Sequence, residues 1–145
     1  MPGGELSTAR ARAMLPLQVP HADAAHAAGR AALLVEALCR SPHLLLPATE
    51  DRLHQAQRAG AMPGSWELLT LLRGAGHAAV VSGAGPSVLV LCPDDAAACA
   101  ARAVAEESGD WRVLAPGVAR RGARAWRREQ GLAGERAGQL DSAPS

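Results

Sequence analysis

Between Ala78 and Cys92 two short apolar runs, Ala78 to Val81 and Val88 to Cys92, are joined by Ser82-Gly83-Ala84-Gly85-Pro86-Ser87. Short runs rich in Val and Leu and bounded by Gly, Pro and Ser read as buried strands. A parallel pair would need a crossover of roughly a dozen residues or more, and this connection is far shorter. The two runs must therefore pair as an antiparallel hairpin, and any fold for the chain has to be built around it.

The flanking sequence supplies helices. Ser7 and Thr8 offer N-caps to Ala9–Leu15, which stops before Pro16. A long helix is predicted from Pro20 to about Cys39, with Leu34, Val35 and Leu38 on one stripe and Gly29 marking a close backbone approach. Thr49 is placed to cap a short helix carrying Glu50 and Asp51 in its first turn, and Gly60 to Gly64 reads as a loop. Ser65 is placed to cap the next helix, which buries Leu68, Leu69 and Leu72 and ends at Gly74 and Gly76. Asp94 or Asp95 caps a further helix with Ala97, Ala101 and Val104 on one face and Gly109 beyond its end. Trp111 to Leu114 reads as a third strand and Val118 to Trp126 as an edge strand. Residues 127–145 are polar and aperiodic and read as a disordered tail. Helices, strand, loop, strand, helix and strand in that order define an α+β domain over residues 1–126, a small antiparallel sheet with helices on one face.

The 145 residues contain no Phe, Tyr or Lys, and the net charge is +1. The core must rest on Leu and Val, with Trp66, Trp111 and Trp126 as the only large rings. A near-neutral chain offers nothing to nucleic acid or to an anionic membrane surface. The three cysteines are Cys39, Cys92 and Cys99, an odd number with no CxxC spacing, which argues against a disulfide framework or a zinc site. No stretch approaches the roughly 20 apolar residues of a membrane helix, so a reducing, cytoplasmic setting is expected. His21 and Asp23 are metal-ligand types, but residues two apart on a helix do not face each other, and no metal is assigned to them.

The loop Ser82, Gly83, Ala84, Gly85, Pro86 and Ser87 carries the most specific local signal. Its glycines let the backbone approach another group closely and aim N–H groups at it. It is not a Walker A loop, because no Gly-Lys-Ser/Thr follows, and not a dinucleotide fingerprint, because a strand comes next. Taken alone, the loop reads more readily as a plain hairpin turn than as a binding loop.

The run Ala79-Val80-Val81-Ser82-Gly83-Ala84-Gly85-Pro86-Ser87-Val88-Leu89 resembles the third conserved motif of the GHMP kinases, in their C-terminal, ferredoxin-like domain. Three further stretches resemble the homoserine kinases within that family: Glu5 to Pro16, Val19 to Leu34, and Ala48 to Gln55 followed by Arg58 and Met62-Pro63. All four occur in family order and spacing. The resemblance implies phosphoryl transfer from ATP, with Mg²⁺, to the hydroxyl of L-homoserine in threonine biosynthesis. It also implies that Arg12 and Arg58 hold the substrate carboxylate, with Arg10 as the competitor for the Arg12 role. A guanidinium suits that task because it grips a carboxylate through two parallel hydrogen bonds. The Gly-rich loop would complete the wall of the active site. His54 and Asp51 lie close to Arg58 in sequence, and a structural hydrogen bond suits them better than a role as catalytic base.

The resemblance also shows departures. Ala56-Gln57 stands where the family has Pro and an aromatic residue, and Ala27 stands where it has an Asn. The family's Pro-x-x-x-Gly-Leu-Gly-Ser-Ser-Ala loop, which holds the triphosphate, has no counterpart here, and Met1 falls within what would be the domain's first strand. The reading is thus of a C-terminal half with its first strand truncated, inactive alone. ATP and Mg²⁺ would be held mainly by a complementary N-terminal half, and a second copy of the chain is a further candidate partner. The rival is a non-enzymatic α+β module that binds a small molecule or a protein. Arg73, at a helix end, has no role in this reading.

Overall fold

A computed structural model describes residues 7–119, 121 and 122. The chain divides after Leu114 into two compact units. Of the second, Ala115–Ala119, Arg121 and Gly122 are described, and they hold no helix or strand.

The first unit contains α1 (Thr8–Ala13), α2 (His21–Cys39), α3 (Leu45–Ala48), α4 (Gln55–Arg58), α5 (Pro63–Gly74), β1 (Ala78–Val81), β2 (Val88–Leu91) and α6 (Asp95–Glu107). The strands pair antiparallel in the register Ala78↔Leu91, Ala79↔Val90, Val80↔Leu89 and Val81↔Val88. The hairpin is the one expected from the sequence, except that β2 ends at Leu91, one residue short of Cys92.

Alternation along β1 sorts its residues onto two faces. Ala79 is buried with Leu68, Leu69 and Leu72 of α5 and Ala101 and Ala105 of α6, and Val81, Val88 and Val90 pack on the same cluster. On the other face Ala78 is buried with Ala37 of α2 and with Leu45 and Ala48 of α3, beside Leu91. Alanine makes up half of the first cluster and most of the second, and among the described residues Leu72 is the one large side chain with almost no exposure. Elements carrying so few large side chains must approach closely, and they bury little apolar area per residue.

Several local expectations are corrected. Thr49 does not begin a helix. Leu45–Ala48 forms a turn of its own, Pro47 is tolerated there because it needs no N–H in a first turn, and the Thr49 hydroxyl donates back to the Leu45 and Leu46 carbonyls at 2.9 and 3.1 Å. The helix that follows starts at Gln55 and is capped by Asp51. Within the predicted loop 60–64, Ala59–Ala61 forms a 3₁₀ turn and α5 already begins at Pro63. With proline at the first position, Ser65 falls inside the helix, caps nothing, and donates its hydroxyl to the Pro86 carbonyl. A Cβ on Gly29 would meet nothing within 4 Å, so no close approach explains that glycine. Ser7 and Asp94 do cap α1 and α6, accepting from the Arg10 and Ala97 amides.

Trp111 to Leu114 keeps the period of a strand, Trp111 and Val113 half-buried against the core and Arg112 and Leu114 exposed, yet it is no strand. A strand requires a ladder partner, and among the described residues none is offered. Val118 to Gly122 is likewise unpaired where it is described. The remainder of that expected strand and the tail 127–145 lie outside the described residues.

Candidate functional site

The connection between β1 and β2 is held from several sides. The Ser82 N–H donates to the Ser87 carbonyl at 2.8 Å and the Gly85 N–H to the Ser82 carbonyl at 3.1 Å. Gly83 and Gly85 have φ of +62° and +87°, a region that other residues enter at a cost. Gly85 is also enclosed: a Cβ there would lie 2.6 Å from Met62 Sδ and 3.3 Å from Val81 Cγ1. The Gly85–Pro86 peptide is cis, and Pro86 is tied to α5 through Ser65.

Against this loop stands the segment from Glu50 to Arg58, organised by one carboxylate. Asp51 accepts from the backbone N–H of Leu53 (3.1 Å), His54 (3.0 Å) and Gln55 (2.5 Å), and from the His54 ring nitrogen Nδ1 at 3.1 Å. Burial alone would raise the Asp51 carboxyl. The Gln55, Leu53 and His54 amides and the His54 ring outweigh it and hold the group below the ordinary carboxylate range. Asp51 thus serves as the cap that starts α4, and its oxygens are occupied by that task.

The turn of α4 then presents two side chains to the strand and loop. Gln55 Oε1 accepts from the Val81 N–H at 2.6 Å, and Arg58 Nη1 donates to the Gly83 carbonyl at 3.3 Å. Arg58 Nε is buried and has no hydrogen-bond partner among the described residues. Beside Arg58 opens a cleft of ≈ 610 Å³. Ala27, Ala31 and Leu34 of α2 form one wall and Val80, Leu89 and Leu91 of the sheet the other, while Glu50, His54, Gln55 and Arg58 supply its polar rim. The rim is anchored to α2 by Glu50, whose carboxylate meets Arg30 Nη2 at 2.9 Å and His26 Nε2 at 3.3 Å.

The structure therefore brings together Arg58 and the Ser82–Ser87 loop. Arg12 and Arg10 stand exposed on α1 and do not line the cleft. Asp23 meets Arg52 at 3.5 Å, and no group of three or more metal-ligating side chains exists among the described residues. Cys39, Cys92 and Cys99 are free thiols, and no helix among the described residues is long and apolar enough to cross a membrane.

Three participants were missed in the sequence. Gln55 had a weak signal, since it lies three residues before Arg58 and so on the same face of a turn. Ser65 was assigned to a cap. Arg73 had no signal at all: Nη1 donates to Thr49 Oγ1 and to the Ala79 carbonyl, each at 3.0 Å, and Nη2 to the Leu46 carbonyl at 3.0 Å. It ties the end of α5 to α3 and β1, joining segments up to 27 residues apart.

Residues 23–110 match the family described as GHMP kinases C terminal, and the chain belongs to that family. Its curated relatives include the homoserine kinase of Streptomyces coelicolor, 54% identical over 123 residues, which are 85% of this chain and 39% of the relative. The homoserine kinase of Leifsonia xyli subsp. xyli is 53% identical over 125 residues, again 85% of this chain and 39% of the relative. The crystal structure of homoserine kinase from Cytophaga hutchinsonii superposes with a TM-score of 0.64 at 25% identity, covering 72% of this chain and 34% of that one. The chain thus spans between a third and two fifths of the length of these three proteins.

Proposed function

We propose that this chain is the substrate-binding portion of a homoserine kinase, which phosphorylates the hydroxyl of L-homoserine with ATP. The single observation that carries the reading is the state of Arg58. One terminal nitrogen is anchored on the Gly83 carbonyl, Nε–H is buried without a partner among the described residues, and the residue lines an open cleft. Nε and Nη2 form the side edge of a guanidinium, and the two oxygens of one carboxylate span that edge. The substrate carboxylate would supply what Arg58 Nε lacks, and the anchor on Gly83 would hold the group in orientation. Arg12 is carried as a second carboxylate contact by its motif position alone, since it stands exposed on α1 and does not line the cleft.

Phosphoryl transfer depends on alignment and on neutralising charge, so a fixed carboxylate clamp contributes by directing the distal hydroxyl of a short, flexible substrate. ATP and Mg²⁺ belong to the region of the relatives that this chain does not span. Its sequence has no triphosphate loop and no Lys, and phosphoryl transfer would require that region. A cytoplasmic location follows from the reaction's substrates.

The test is a phosphoryl-transfer assay with L-homoserine and Mg-ATP, run on this chain with and without the nucleotide-binding region of a relative. Turnover should need both pieces. Arg58→Ala should lower kcat/KM for homoserine about 30- to 150-fold, the equivalent of roughly 2 to 3 kcal/mol for a lost bidentate charge-assisted contact. Arg58→Lys should recover little, because an ammonium has no fork. The control is Arg102→Ala, an exposed residue on α6 whose contact is Glu106. Equal losses at Arg58 and Arg102, or a loss confined to ATP affinity, would remove Arg58 from the substrate site. No turnover with both pieces present would favour a binding module instead.

A further inference from the structure

The α4 turn meets the loop at two points of unequal strength. The contact from Gln55 Oε1 to the Val81 N–H is 2.6 Å, whereas that from Arg58 Nη1 to the Gly83 carbonyl is 3.3 Å. Gln55 and Arg58 share one face of the turn, and Val81 and Gly83 flank the residue where the strand becomes the loop.

The hairpin itself leaves Val81 in need of a partner. Ser82 N–H bonds to the Ser87 carbonyl across the ladder, and in antiparallel pairs the residues facing each other alternate between bonded and non-bonded. The pair Val81↔Val88 is therefore of the non-bonded kind, and the Val81 N–H points away from β2. It is the last outward amide before the glycines, and Gln55 satisfies it. Gln55 is fixed in turn, because its own N–H is held by Asp51 at 2.5 Å. A continuous chain of short contacts runs from Asp51 through Gln55 to Val81. The longer Arg58–Gly83 contact then closes the circuit.

We propose that Gln55 is a positioning residue: acting through Val81, it sets the Gly-rich loop against the Arg58 guanidinium, so that Nη1 stays on Gly83 beside the cleft that Arg58 lines. The consequence for catalysis rests on the reading of Arg58 as the carboxylate clamp, while the contact itself is testable without it. An acceptor is what the position requires. Glutamate keeps an oxygen at the same reach, and methionine keeps the length and the helix preference but not the acceptor.

The experiment is amide hydrogen exchange followed by NMR on the full chain. Gln55→Met should speed exchange at Val81 about tenfold, since a half-buried N–H loses its partner, while Val80, which faces β2, keeps its rate. Gln55→Glu should restore the Val81 rate. With the nucleotide-binding region supplied, Gln55→Met should raise KM for L-homoserine severalfold and leave KM for ATP unchanged. An unchanged Val81 rate in Gln55→Met, a uniform acceleration of all amides, or failure of Gln55→Glu to restore protection would overturn the proposal. So would a parallel rise in both KM values. If the reconstituted wild type does not phosphorylate homoserine, the functional reading falls, and the exchange rates still decide whether Gln55 holds the loop.

Discussion

Removing Arg73 should damage the fold far more than its place at a helix end suggests. Its guanidinium makes three contacts of 3.0 Å, to Thr49 Oγ1, the Ala79 carbonyl and the Leu46 carbonyl, and a longer one of 3.4 Å to the Thr49 carbonyl. These acceptors sit on α3, on the residue closing it and on β1, so one side chain joins two segments to α5. Hydrogen bonds to a charged group are each worth about 1.5 to 3 kcal/mol when buried, but Arg73 is only half-buried and water can replace part of what is lost. About 1 kcal/mol for each of the three good contacts gives a loss on the order of 3 kcal/mol for Arg73→Ala. For a domain of this size that corresponds to a fall in Tm of about 12 °C. Arg73→Lys should recover less than half, because one ammonium cannot reach all the acceptors that Nη1 and Nη2 meet around the guanidinium. Far-UV circular dichroism during thermal unfolding measures both, with Arg102→Ala as a control that should stay within about 2 °C. A fall of less than about 4 °C for Arg73→Ala would show that the carbonyls are satisfied without it.

Asp51→Asn should lower stability at neutral pH and flatten its dependence on acid. The Asp51 carboxyl titrates below its unfolded value, so its contribution is present above the ordinary carboxylate range and is lost as pH falls through the lower, folded value; urea unfolding at neutral pH and near pH 3 checks this. A wild type whose acid sensitivity is unchanged by the substitution would deny Asp51 that role. Gly85→Ala should destabilise by about 1 to 3 kcal/mol, because the position combines positive φ with a Cβ pressed on Met62 and Val81. Gly29→Ala, in open space within α2, should instead stabilise by about 0.5 to 1 kcal/mol, and opposite signs in denaturant unfolding are the expected result.

The hairpin was legible from residues 78–92 alone, because a short glycine-rich connection between two Val/Leu runs permits one pairing. The α2 and α6 boundaries, the Asp94 cap and the burial of Leu68, Leu69 and Leu72 were legible for the same reason: each depends on neighbours within a turn or two of chain. The errors at Thr49 and Ser65 arose where two local signals competed. A hydroxyl can cap a helix or bond elsewhere, and Pro63 and the Leu45–Ala48 turn decided which. Trp111 to Leu114 alternates in burial as a strand would, but the expected strand is not formed: a strand is a relation between two segments, and no sequence window contains its partner.

The site divides in the same way. Residue type and motif order singled out Arg58 and the Ser82–Ser87 loop. That the two touch, with Arg58 Nη1 on the Gly83 carbonyl and Nε left without a partner, was decided by a contact across 25 residues of chain. Gln55 on Val81 and Arg73 on Leu46 span 26 and 27 residues. Local sequence determines which backbone conformations and buried faces are available. Hydrogen bonds between distant polar groups form only once packing has brought those faces together, and here that packing placed an amide oxygen and two guanidinium groups beside backbone atoms that the hairpin leaves unpaired.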